Sequence, residues 1–338
     1  METLHKVTRL ILESQCPAHS LRPEVLELTQ ILAAAQLIPP DRPEDISDGE
    51  TRTANGLAIS PTMAARCADD FVRTVGFIRG THAAIVDLRK RFPNRPVRIL
   101  YAGCGPMATL AVPLMPVFSA TEATFTLLDV HPESIESAKS IVATLGLASS
   151  VSGFETVDAT TYRVCADAPP DVILIETMQA CLEAEPQVAI TRHLLKQSPD
   201  AVLIPQEVRI DLTLLNPSRE FNLGRQERNP SHHQRDRIPL APVFELNPQS
   251  VKCWENNCSD RLPASAVRIP DPLEPQYQPM LCTTIRVYGN HVIQDYDSGL
   301  TCPRRPTIKG AIKPGDTVQF QYGLGSHPGL KGEAASRS

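Results

Sequence analysis

The apolar residues of this chain change period along its length. Over residues 1–37 they recur at helical spacing, most clearly in RPEVLELTQILAAAQLI from residue 22, and Pro39 and Pro40 end the run. The next stretch, PDRPEDISDGETRTANG at 40–56, is polar and turn-rich and predicts a loop. Residues 60–92 predict one long helix with Ser60 as N-cap and Pro61 in its first position, although Gly76 and Gly80 work against its continuity.

From residue 97 the pattern alternates. VRILYAGCG (97–105), TFTLLDVHP (124–132), GFETVDATTY (153–162) and DVILIE (171–176) predict strands. MATLAVPLMPVF (107–118) and PESIESAKSIVATLGL (132–147) predict helices between them. Strands alternating with helices imply a parallel α/β sheet covered on both faces. After DAVLIPQEVRIDLTLLNP the composition shifts again: twelve of the 31 prolines fall between Pro199 and Pro279. Short β-like runs such as TTIRVYGNHVIQDY and DTVQFQYGL follow, so the second half should be mainly β. The predicted organisation is a helical segment over 1–59, a Rossmann-like α/β domain over 60–205, a barrel-like β domain over 206–325 and a mobile tail over 326–338.

Bulk properties exclude some functions. A net charge of -5 gives no footprint for nucleic acid or an anionic membrane surface. The nine cysteines are scattered without a CxxC pair, and Cys253 and Cys258 lack a second ligand pair, so reduced thiols and no metal are expected. His232 and His233 fall in an exposed-loop sequence, and His291 and Trp254 read as structural. The opening METLHKVTRLILESQ has no signal-type apolar core and no stretch could span a bilayer, so a cytoplasmic location is expected.

The candidate chemistry lies at the strand ends, where open α/β sheets bind ligands. Gly103 and Gly105 would let the backbone approach a ligand closely, ahead of helical N-terminal amides. Asp129 ends the next strand, where a carboxylate can accept both hydroxyls of a ribose. Asp158 ends the third, within reach of an adenine amino group. Glu176 ends the fourth, and Glu183 and Glu185 follow in a mostly apolar or neutral segment. The last two also read as solvated acids of a first helical turn.

This order of a glycine loop and two strand-end acids resembles class I S-adenosylmethionine (SAM) methyltransferases. The spacing Glu176-x8-Glu185 resembles the double-glutamate loop of the protein arginine methyltransferases. DDFVRTVGFIRG resembles the helix ahead of that family's cofactor domain, which implies that Arg73 holds the cofactor's carboxylate. AVLIPQEVRIDLTLL resembles its crossing into a β-barrel. The likeness covers roughly residues 60–215. It implies SAM as cofactor, S-adenosylhomocysteine as product, and a clamp made of Glu176 with Glu185, or with Glu183 if the loop winds differently. Such a clamp suits a guanidinium, which stays protonated and must approach a sulfonium: two carboxylates neutralise that repulsion.

The chain also departs from the family. Tyr101 and Met107 stand where the family has an acid and a glycine. NGLAISPTMAARC carries none of the aromatics of the family's YFxxY motif, and the nearest counterpart of its Thr-His-Trp loop is YDSGLTCPRRP. Both elements line the peptide side of protein-modifying members. Their loss points to a small guanidino substrate, L-arginine foremost, as in the family's member type that opens nitrosourea (streptozotocin-like) natural-product biosynthesis. The alternatives are a true protein arginine methyltransferase and a SAM-binding scaffold without activity. The resemblance also implies a homodimer. The region at the dimerisation arm's position, SREFNLGRQERNPSHHQRDR, is polar, so residues 1–37 are expected to contribute.

Overall fold

The computed structural model describes residues 2–38, 48–220 and 235–335. Helices α1 (Glu2–Glu13) and α2 (Arg22–Ala33) bury Leu4, Val7 and Ile11 on one and Val25, Leu28 and Leu32 on the other, the i, i+3, i+4 stripes of the sequence. They pack on each other and on the long helix that follows. The region read as a loop contains a small hairpin, β1 (Thr51–Thr53) and β2 (Gly56–Ala58).

The helix expected over 60–92 is broken. Ser60 does cap α3 (Pro61–Arg66), but a 3-10 turn at Cys67–Asp69 interrupts it. Asp70 then caps α4 (Phe71–Arg91), its Oδ1 accepting from Arg73 N at 3.2 Å. Gly76 and Gly80 lie inside α4 without breaking it. A Cβ on Gly80 would come within 2.5 Å of Val287 Cγ1, so the glycine lets the helix press against the β region.

The central sheet contains β3 (Val97–Ala102), β4 (Ala123–Asp129), β5 (Val151–Thr156), β6 (Val172–Ile175) and β7 (Val202–Ile204). All pairings are parallel, in the order β5-β4-β3-β6-β7. Helices α5 (Pro132–Thr144) and α6 (Gln187–Gln197) pack on it. The helix predicted over 107–118 is reduced to a 3-10 turn at Val112–Leu114. Pro113 and Pro116 remove two amide donors from that stretch, and Ala108 is left-handed at φ 42°.

The chain then enters a β region through β8 (Glu207–Leu215). Short helix α7 (Pro217–Glu220) precedes β9 (Arg237–Leu246), and α8 (Pro248–Cys253) precedes β10 (Arg261–Arg268). The remaining strands are β11 (Gln278–Tyr288), β12 (His291–Ile293), β13 (Thr307–Lys309), β14 (Thr317–Gly323) and β15 (Gly329–Ala335). They form two four-stranded sheets, β12-β11-β8-β9 and β10-β14-β15-β13, antiparallel except for the β13–β15 pair. Phe244 stacks between Trp254 and Tyr322 at centroid distances of 5.3 and 4.7 Å, so Trp254 belongs to the core. The fold is thus a Rossmann-like parallel sheet followed by a mainly antiparallel β region.

Of the mobile tail expected over 326–338, Gly329–Ala335 instead forms β15, which pairs along its length with β14 and buries Leu330, and residues 336–338 lie outside the described residues. The polar arm, residues 218–237, lies outside the described residues over 221–234, as do His232 and His233; of its described ends, Glu220 of α7 pairs with Arg237 of β9. No helix among the described residues is long and apolar enough to cross a membrane.

Candidate functional site

The carboxyl ends of β3, β4, β5 and β6 open onto one pocket, lined by Arg73, Gly103, Gly105, Asp129, Asp158, Glu176 and Glu185. Glu183 is not among its lining residues; it lies against Gly329 of β15 instead. The pocket joins two halves of different chemistry.

The glycine half is built on β3 and β4. Gly103 and Cys104 both donate to Leu128 O at 2.9 Å, which folds the loop back over the end of β4. Gly103 and Gly105 are left-handed at φ 72° and 63°, and a Cβ on Gly103 would come within 2.2 Å of Thr177 Cγ2. Glycine is therefore required there by conformation and by space. Asp129 Oδ2 accepts from Gly105 N at 2.8 Å and Oδ1 from His131 N at 2.9 Å. A carboxylate offers about four lone-pair sites, so these bonds orient Asp129 and leave acceptor capacity for a ligand. Asp158 Oδ1 accepts from Thr160 N and Oγ1 at 2.8 and 2.7 Å.

The acidic half is held by α4 and the loop after β6. Arg73 forms a buried ion pair with Glu176, and its Nε is buried with no hydrogen-bond partner. Burial alone would lower the Arg73 pKa, but Glu176 and Cys67 beside it turn the net shift upward. Glu176 and Glu185 are 8% and 6% exposed. Burial pushes Glu176 up to about 8, Arg73 opposing and Glu185 reinforcing the shift. Burial pushes Glu185 up to about 7, against Arg73 and a hydrogen bond from Gln179. Among the described residues Glu185 has no ion pair. Burial likewise raises the Cys67 thiol that adjoins Arg73.

The loop carrying these acids is strained. Cys181, Leu182 and Ala184 are left-handed at φ 62°, 57° and 62°, although none is glycine. Each such residue costs on the order of 1–3 kcal/mol and persists only where its surroundings over-determine it. Here they do. Cys181 N donates to Thr283 Oγ1 at 3.1 Å, Tyr322 Oη to Leu182 O at 2.7 Å, and Ala184 N to Pro328 O at 3.1 Å. Gln187 closes the base, accepting from Thr177 N at 2.9 Å. The winding turns Glu185 into the pocket and Glu183 toward the β region.

Several lining residues escaped the sequence reading. Thr53 and Leu57 come from the hairpin, Cys67 from the broken helix, and His131 and Ser134 from the start of α5. The His-Pro-Glu-Ser run after Asp129 was a usable signal, because a helix beginning at a strand end faces the ligand side. Cys104 lines the pocket and is buried, and Cys181 is buried in the strained loop.

The residues can be tested against a nucleoside sulfonium with an amino-acid tail. Ser134 Oγ is buried and unpartnered, and Arg73 Nε is a buried donor without an acceptor, both on residues that line the pocket. Both are met by a ligand with a ribose and a carboxylate, so the group fits.

No protein-family model matches the sequence, and neither does any curated protein. Among solved structures the chain is similar to protein arginine methyltransferase 10 of Arabidopsis thaliana, at 11% identity over 73% of this chain and 84% of that one, with a TM-score of 0.44. It is also similar to PRMT6, at 10% identity over 75% of this chain and 98% of that one, with a TM-score of 0.47.

Proposed function

We propose that this protein is a SAM-dependent N-methyltransferase acting on the guanidino group of a small metabolite, with L-arginine the favoured substrate. The observation that carries the reading is Glu185. It is a buried carboxylate with no ion pair among the described residues, in the same pocket as Glu176, whose ion-pair partner is Arg73. Glu185 is costly to ionise there, because the nearest cation, Arg73, is already paired with Glu176, and a cation entering the pocket offsets that cost.

SAM supplies an electrophilic methyl on a sulfonium. Asp129 and Asp158 are assigned to its ribose and adenine, Gly103 and Gly105 to close backbone approach, and Arg73 to its carboxylate through the free Nε. Glu176 and Glu185 hold the guanidinium by charge-assisted hydrogen bonds and neutralise it. They draw its positive charge toward the nitrogens they hold, and the third nitrogen is left the better nucleophile. Glu176 and Glu185 line the same pocket and can take up the proton lost from that nitrogen. Positioning of this kind contributes on the order of 7 kcal/mol in well-oriented systems.

The missing aromatics on the substrate side favour a small carrier of the guanidino group. A role in natural-product biosynthesis and a cytoplasmic homodimer belong to the same proposal. Incubation with labelled SAM and either L-arginine or an Arg-Gly peptide, followed by mass spectrometry, tests it. Label on free arginine supports the reading. Label on the peptide alone makes the protein a protein arginine methyltransferase, and binding of SAM without transfer makes it a scaffold.

A further inference from the structure

The hairpin β1–β2 belongs to none of the three larger sheets, yet it touches both halves of the pocket. Thr51 Oγ1 lies 3.0 Å from His131 Nε2, whose backbone N donates to Asp129. At the turn, Asn55 Nδ2 donates to Thr160 Oγ1 at 3.0 Å, and that hydroxyl donates to Asp158. On the second strand, Leu57 N donates to Ala184 O at 2.8 Å, one residue before Glu185. Gly56 sits so close to this loop that a Cβ would lie 2.9 Å from Ala184 O and Pro186 N. Arg52 reaches across to Ser326 O at 2.9 Å.

The energetics of this hairpin are those of a small unit. It has three residue pairs and no further strand, and Leu57 and Ala58 are only half-buried, lining the pocket. Such units sit at the low end of local stability. A ligand in the pocket covers those two side chains and completes their burial, which favours the seated hairpin.

We propose that the hairpin couples the two half-sites: a ligand bound at Asp129 and Asp158 seats it, and the seated hairpin, through Leu57 and Ala184, fixes Glu185 for the cation. Leu57 and Asn55 are then positioning residues, and affinity at either half rises with occupancy of the other, as linkage requires. The ligands rest on the function proposed above; the mechanical link does not.

The test therefore has two arms, each on the full chain with wild type, Asn55→Ala and Thr51→Val. In the ligand-free protein, amide hydrogen exchange is followed at Leu57 and at residues 181–185. Removing the Asn55 or the Thr51 contact should speed exchange at both places, by about tenfold for one lost hydrogen bond. Calorimetry then measures L-arginine affinity with and without S-adenosylhomocysteine. Wild type should bind arginine about 5-fold or more tighter with the nucleoside present, and the variants should lose most of that ratio. Exchange at 181–185 that stays at the wild-type rate while Leu57 speeds up overturns the link. An unchanged ratio in both variants overturns the coupling. If wild type binds neither ligand, the proposed function fails, and the exchange arm alone decides the link between the hairpin and residues 181–185.

Discussion

Arg73 of α4 and Glu176 at the end of β6 form a buried ion pair, with side chains 12% and 4% exposed. The pair changes what a guanidinium would meet. Arg73 is paired directly with Glu176, whereas Glu185 forms no ion pair among the described residues and feels Arg73 only at longer range. The two acids of the proposed clamp are thus unequal before any ligand arrives. Glu185 gains most from a bound cation, and Glu176 divides its charge between the ligand and Arg73.

Glu185→Gln and Glu176→Gln should each lower turnover of a guanidino substrate by about 10²–10³, the usual cost of removing a preorganised electrostatic partner. Glu185→Gln should leave S-adenosylhomocysteine affinity near wild type. Glu176→Gln should alter it, because Arg73 is released from its partner. Glu183→Gln should act within roughly threefold of wild type, since its side chain lies toward β15. Steady-state rates and nucleoside titrations on the three variants check this. A Glu183 variant as inactive as the Glu185 variant would overturn the assignment.

Much of this site was legible because its residues stand at strand ends, where a change of period and a glycine or acid coincide. Gly103, Gly105, Asp129, Asp158 and Glu176 all follow that grammar. The break at Cys67–Asp69 was not legible: Asp70 can sit inside a helix or cap a new one, and packing decides. The hairpin was missed because strands of three residues show no alternation. The choice between Glu183 and Glu185 depends on contacts from Thr283 and Tyr322, 102 and 140 residues away from the loop atoms they meet. No local pattern encodes those.

Asp129 has a structural duty as well as a proposed ligand. Asp129→Ala removes the acceptor for Gly105 N and His131 N, so the glycine loop should loosen. SAM and S-adenosylhomocysteine affinity should fall by about 1.5–3 kcal/mol, the range for charged hydrogen bonds. Asp129→Asn keeps one carbonyl acceptor and should fall between the variant and wild type. Calorimetric affinities unchanged in both would remove Asp129 from the site.

Tyr322 reaches the loop that carries Glu185. Its hydroxyl donates to Leu182 O, a carbonyl in the strained stretch, and the side chain is fully buried. Tyr322→Phe keeps the ring stack on Phe244 and deletes only that donor. Leaving the carbonyl unpaired should cost about 1–3 kcal/mol of stability, read from denaturant unfolding. Turnover should fall more than nucleoside affinity, because the tyrosine supports the acidic half directly and the glycine half only through the Ala184–Leu57 contact. Equal losses in both would mean a general collapse of the pocket rather than a loosened loop.

The raised pKa of Glu185 makes a signed prediction for pH. Its folded value, about 7, lies above the ordinary carboxyl value of 4.5. Between these limits the folded chain holds a proton that the unfolded chain has lost. The contribution is fully present below about pH 4.5 and is lost as pH rises through about 7. Glu185→Gln removes that contribution. Its stability relative to wild type should therefore rise by about 1–3 kcal/mol from about pH 5 to about pH 8. Binding runs the other way, because a guanidinium favours the ionised acids. Affinity for a guanidino ligand should rise with pH through 7 to 8, with release of about one proton near neutrality. Calorimetry in buffers of different ionisation enthalpy counts that proton. An affinity that stays flat over this range, with no proton released, would mean that the cation does not sit between Glu176 and Glu185.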